Sequence, residues 1–216
     1  MESVETCDNI MTKPSFLSRL FGRQPTGEPI IVVSGLPRSG TSMLMRMLSA
    51  GGLNLVVDGI RTADDDNPNG YFELEKVKEL DKGADTSWLA DARGKGLKII
   101  SFLLPHLPDA YHYRIIFLRR SLSEVLASQK KMLNHRGESS GDTSDNDMAE
   151  FFATHITQVE TLLASRRNCT VLYVEHRQAI SDPAAVANRV SEFVGGTLNV
   201  EAMATAVDSR LYRNKA

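Results

Sequence analysis

Between Ile30 and Gly196 the chain alternates short apolar runs with amphipathic stretches. The β-branched run Ile30 to Ser34 predicts a buried strand, and Thr41 to Ala50 a helix ended by Gly51-Gly52. Leu53 to Val57 predicts a second short strand. Asp58 to Tyr71 reads as a loop punctuated by Pro68 and Gly70, with a helix following through Leu80. Lys98 to Phe102 predicts a strand, and Leu103 to Leu107 fits either period. Ile115 to Leu118 predicts a strand and Ser121 to Leu133 a helix, with Leu122, Val125, Leu126 and Leu133 along one face. Asn134 to Asn146 is polar and contains glycine, and reads as a mobile loop. Met148, Phe151, Phe152, Ile156, Val159, Leu162 and Leu163 form one stripe, the clearest helical pattern in the chain. Thr170 to Val174 predicts a strand. Asp182 then caps a helix with Pro183 at its first position, Val186, Val190, Phe193 and Val194 facing inward, and Gly195-Gly196 at its end. This alternation predicts an α/β fold: three layers, helices on both faces of a mostly parallel sheet.

Met1 to Pro29 does not follow the pattern. It mixes polar and apolar residues with Pro14, Gly22, Pro25, Gly27 and Pro29, and Phe16-Leu17 with Leu20-Phe21 could make one amphipathic turn. Residues 1–29 therefore read as a leader with a frayed end, and residues 30–216 as one domain.

The junction of the first strand and helix carries the chemistry. Gly35-x4-Gly40-Thr41-Ser42 fits the nucleotide-binding pattern G-x4-G-K-[ST] except that Thr41 stands where lysine is expected. The basic residue is Arg38, inside the loop. A strand–loop–helix of this kind is of the P-loop nucleotide-binding type and aims backbone N–H groups and a helix N-terminus at an anion. Without the lysine a triphosphate is poorly neutralised, whereas Arg38 can clamp a shorter anion through a bidentate fork. A small-molecule kinase with an altered loop is the alternative. A second motif bears on the choice. Ile115-Ile-Phe-Leu-Arg119-Arg120 ends a strand in two arginines, where an ATP- or GTP-hydrolysing protein often has a Mg²⁺-holding aspartate. Ser121-x-x-Glu124 reads as a capping box opening the next helix. Ser128 follows Arg120 by eight residues, near two helical turns, so both can reach one anion.

Pro37-Arg38-Ser39-Gly40-Thr41-Ser42 resembles the 5′-phosphosulfate loop of sulfotransferases, and Arg120 with Ser128 resembles their 3′-phosphate site. A third stretch is similar as well: Tyr173 and Glu175 at a strand end, then Asp182-Pro183, then Phe193. Together these cover roughly Ile30 to Gly196. The resemblance implies transfer of a sulfuryl group from 3′-phosphoadenosine 5′-phosphosulfate (PAPS) to a hydroxyl or amine, with no metal required. It implies that Pro37, Arg38, Ser39, Gly40, Thr41, Ser42, Arg120 and Ser128 bind the donor. Arg119 either shares that work or pairs with a carboxylate on the other sheet face, since adjacent strand residues point opposite ways. A non-catalytic sulfotransferase-like binding protein is a further alternative, because the chain departs from the family in two places.

The first departure is the general base. Many cytosolic members have a histidine in a K-T-H-L-P segment. The comparable stretch here is Lys98 to Pro108, and the histidine position falls near Ser101; His106 is close but beside a proline. Glu73, in an Asn-Gly-Tyr-Phe-Glu turn, and Asp58 are the alternative bases, and Tyr71 and Phe72 could raise a carboxylate's pKa. Asp58 and Arg61 also fall near an acid–arginine pair of the tyrosylprotein sulfotransferases. His155 lies on the apolar face of its helix and reads as a core histidine, Trp88 could line the acceptor pocket, and Asp64 to Asp66 read as solvated. The second departure is the missing late loop of the R-K-G-x-x-G kind, for which Arg210 and Arg213 could substitute over the 3′-phosphate.

Composition narrows the rest. A formal charge of −2 over 216 residues argues against a nucleic-acid surface and suits a local cationic site for a small ligand. Cys7 and Cys169 cannot make a disulfide framework and read as free thiols in a reducing cytoplasm. No run approaches a membrane span, and the N-terminus lacks signal-peptide order. The expected partner is a small-molecule or saccharide acceptor, with neither nucleic acid nor membrane.

Overall fold

The structure, a computed structural model, describes residues 27–60, 70–137 and 144–208. The segment before residue 27, Arg61, Asp64 to Asp66, Arg210 and Arg213 lie outside them.

A parallel four-stranded sheet runs in the order β2-β1-β3-β4. Its strands are β1 (Ile30–Gly35), β2 (Gly96–Lys98), β3 (Tyr113–Arg119) and β4 (Cys169–Glu175). Every residue of β1 is buried, as expected of a strand covered on both sides. Alternation then divides the core. Ile30 and Val32 face one way with Ile115, Phe117, Leu97 and Leu104. Ile31 and Val33 face the other with Ile116, Leu118 and Val174.

Helices close each face. Against Ile31 and Val33 lie α1 (Thr41–Ala50) through Leu44, Met45, Met47 and Leu48, α5 (Pro183–Val194) through Val186 and Val190, and α6 (Val200–Thr205) through Met203. The methionines of α1 thus fill core space. The opposite face is covered by α3 (Asp145–Ser165) through Val159 and Leu163, and by three short 3₁₀ segments, Glu75–Lys82, Ser87–Ala92 and Ser101–His106. The expected three-layer α/β arrangement is therefore present, with a wholly parallel sheet. No described helix is long and apolar enough to cross a membrane.

Several elements differ from their sequence patterns. The strand expected over Lys98 to Phe102 ends at Lys98, and Ser101–His106 coils instead, burying Leu103 and Leu104. A continuous apolar run satisfies either period, and here tertiary burial chose the helical one. Leu53 to Val57 makes only a bridge from Leu55 to Gly96. The helix expected through Leu80 is the 3₁₀ segment Glu75–Lys82, stopped by Gly83 in the left-handed region. The loop expected from Asn134 is shorter, because α2 (Leu122–Arg136) extends to Gly137 and Ser144 caps α3. The short helices α4 (His176–Ser181) and α6 had no clear periodic signal.

Candidate functional site

Strand order fixes where a ligand can sit. The chain leaves β1 toward β2 on one side, and leaves β3 toward β4 on the other. Between the carboxyl ends of β1 and β3 the connections diverge, which opens a crevice. The Gly35 to Ser42 loop leaves one of these strands and Arg120 follows the other.

The loop is shaped by positions that only small or left-handed residues fill. A Cβ on Gly35 would lie 2.5 Å from Ser39 Oγ and 2.7 Å from the Leu118 carbonyl. Gly40 caps α1 at φ 102, and a Cβ there would meet His176 Cδ2 at 2.5 Å. Ser39 N–H donates to the Leu36 carbonyl at 3.1 Å, tightening the turn. No side chain caps α1, so the helix's leading N–H groups have no intrahelical partner and open toward the crevice. Ser39 Oγ is buried without a hydrogen-bond partner among the described residues. Thr41 is buried as well.

The cations gather around this loop. Arg38 Nε donates to Ser128 Oγ at 3.0 Å, and Arg120 Nη1 donates to the Arg38 carbonyl at 2.9 Å. Arg38, Arg120 and Ser128, separated by up to 90 positions, thus meet at one place. Arg120 is oriented by Glu124 at 2.9 Å, and Glu124 also accepts from Arg177 at 3.3 Å. Glu124 is therefore not half of a capping box: Ser121 makes no side-chain cap, because a buried carboxylate flanked by two guanidinium groups gains more there than at an N–H. Arg119 turns to the opposite sheet face, where it pairs with Glu160 at 2.8 Å and lies over the Tyr173 ring at 4.0 Å.

A second group adjoins the loop. Lys98, last in β2 and 8% exposed at its side chain, donates to the Tyr71 carbonyl at 2.8 Å, to Glu73 Oε1 at 3.1 Å and to Ser42 Oγ at 3.3 Å. Phe72 holds a left-handed φ of 52 beside Glu73, the kind of strain that persists where the surroundings over-determine it. Lys98 is the functional candidate that sequence reading passed over. The sequence pattern begins a strand at Lys98, whereas β2 ends there, and that shift is what brings the lysine beside the phosphate loop. Asp58 adjoins this pair through its backbone, its N–H donating to the Glu73 carbonyl at 3.2 Å, but its carboxylate turns elsewhere. Its oxygens accept from the backbone N–H groups of Glu75 at 2.6 Å and Ile60 at 3.0 Å. Those bonds hold its carboxyl below the usual range and make it a weaker base.

His155, read from its pattern as a core histidine, is half-buried. Its Nε2 lies 2.9 Å from the buried Oγ of Ser101, and its ring stacks on Phe102 at 3.8 Å. Phe102 belongs to the small cluster that includes Leu36 of the phosphate loop and Phe152. Trp88 packs against the core cluster on the α3 face.

Among solved structures the fold is similar to a sulfotransferase from Mycobacterium tuberculosis, at 16% identity over 89% of this chain and 74% of that one, with a TM-score of 0.57. A sulfotransferase from Alicyclobacillus acidocaldarius matches at 15% identity over 79% and 82%, TM-score 0.50. A mouse sulfotransferase complexed with PAP matches at 15% identity over 87% and 67%, TM-score 0.51. At such identities the likeness is one of fold. No curated protein matches by sequence. The family model of the sulfotransferase domain matches residues 28–215, and the chain belongs to that family.

Proposed function

We propose that this protein transfers a sulfuryl group from PAPS to a hydroxyl or amine of a small acceptor. The observation that carries this reading is the meeting of Arg38, Arg120 and Ser128 at the crevice between β1 and β3. The partnerless buried Ser39 hydroxyl and the glycine-shaped loop around it fit an anion, and the PAP in the mouse sulfotransferase of the same fold fits the same ligand class.

PAPS supplies an activated sulfuryl group whose leaving group is 3′,5′-ADP. Pro37 to Ser42 would cradle the 5′-phosphosulfate. Arg38, the loop N–H groups and the Thr41 and Ser42 hydroxyls would stabilise charge developing on the 5′-phosphate. Lys98, held by Glu73, stands beside Ser42 and would add a cation to the same oxygens. Arg120 and Ser128 would grip the 3′-phosphate, and Arg213 would close over it. Positioning and charge stabilisation carry such in-line transfers by analogy with phosphoryl transfer. Asp58 and Glu73 contribute by shaping the loop after α1 and by holding Lys98.

Calorimetry tests this reading. 3′,5′-ADP should bind more tightly than ATP, and equally with and without Mg²⁺. Arg38→Ala should weaken it by roughly 100-fold, the loss of charge-assisted bonds. Preference for Mg-ATP would assign the site to a kinase instead.

A further inference from the structure

Transfer to an un-ionised hydroxyl needs an acceptor for its proton, and the carboxylates of the site are already engaged. Glu73 pairs with Lys98, and Asp58 is bound by two backbone N–H groups. We infer that His155, reaching in from α3, is the general base. This rests on the sulfuryl-transfer reading above.

The argument is geometric. Ser101 stands three residues beyond Lys98, past the carboxyl end of β2, at the same end of the parallel sheet as the phosphate loop that follows β1. Its Oγ is fully buried and sits 2.9 Å from His155 Nε2. With Nε2–H donating to that oxygen, the lone pair of Nδ1 is left to act. Nδ1 has no hydrogen-bond partner among the described residues, and the residue is only partly buried. Ring orientation is fixed from both sides. One side is the Ser101 bond, and the other is Phe102, nearly parallel at 10° and 3.8 Å. Phe102 in turn packs in the cluster of Leu36, so the imidazole is braced against the loop proposed to hold the donor. Burial lowers the imidazole's pKa, which keeps it neutral and able to accept a proton near pH 7.

In the step itself the acceptor oxygen forms a bond to sulfur while its proton passes to His155 Nδ1. The bond between sulfur and the 5′-phosphate oxygen breaks, and its electron pair leaves with 3′,5′-ADP. The imidazolium then returns the proton to water. Ser101 is a positioning residue, acting only through the ring.

Acceptors of different acidity test this. With phenol, His155→Gln should lower kcat by roughly 100-fold, whereas with p-nitrophenolate, already ionised at alkaline pH, the loss should be within about 3-fold. Ser101→Ala should show the same acceptor dependence with a smaller loss. Calorimetry of the His155 variant should give unchanged 3′,5′-ADP affinity, which shows that the fold and donor site are intact. Equal losses with both acceptors, or a phenol-specific loss in Glu73→Gln but not in His155→Gln, would overturn the assignment of the base. Wild-type protein that binds no 3′,5′-ADP would overturn the sulfuryl-transfer reading, and this inference with it.

Discussion

Glu124 shows how a single side chain can hold a binding pocket ready. It is 2% exposed and lies between the guanidinium groups of Arg120 and Arg177. Arg120 is itself 9% exposed at its side chain. Removing the carboxylate strands a buried cation, at a cost of about 3 kcal/mol. A 3′-phosphate bound at Arg120 would restore the missing negative charge. Glu124→Ala should therefore lower the thermal midpoint, and saturating 3′,5′-ADP should raise it by more than in the wild type. An equal ligand-induced rise in both proteins would show that Arg120 does not meet the phosphate. None of this was visible in the sequence, where Ser121-x-x-Glu124 imitates a helix cap. The spacing is right for a cap, but two arginines from elsewhere compete for the acid. Lys98 and His155 were hidden for the same reason. Their partners Ser42 and Ser101 lie 56 and 54 positions away, and no local pattern encodes such meetings.

Elements whose burial is periodic were legible. β1, α1 and α5 appear where their apolar runs and caps put them, and Asp182 accepts from Ala185 N–H at 3.0 Å as a capping residue should. The 3₁₀ segments on the α3 face were not, because short coils are stabilised by the sheet they cover rather than by their own pattern. Among the readable features, the glycines of the phosphate loop make the sharpest demand. Gly40 and Gly52 both have left-handed φ, but a Cβ meets His176 at the first and nothing within 4 Å at the second. Gly40→Ala should cost about 3 kcal/mol and abolish 3′,5′-ADP binding, whereas Gly52→Ala should cost about 1 kcal/mol and leave binding intact. Urea denaturation and calorimetry on the pair distinguish steric conflict from conformational cost alone.

At the scale of the whole molecule, His176 links the β4–α4 junction to the phosphate loop and confers a pH dependence on the fold. Burial, with Arg120 as a secondary cause, pulls its pKa from 6.5 down to about 4. The folded state therefore resists protonation more than the unfolded chain does. Above pH 6.5 both states are neutral at this group and it contributes no slope. As pH falls from 6.5 toward 4 the unfolded chain takes the proton first, and stability declines by about 3 kcal/mol at most. Urea midpoints measured across that interval should fall, and His176→Gln should flatten much of the decline. His155 shifts in the same direction and accounts for part of what is left. The parity of β3 has a different consequence. Consecutive arginines at its end serve opposite sides of the sheet, one toward the crevice and one against Glu160 and Tyr173. Gaining or losing a single residue inside that strand would exchange them, burying the wrong guanidinium on each side. Evolutionary length changes in this chain can accumulate in the loops, but within β3 they would have to come in even steps.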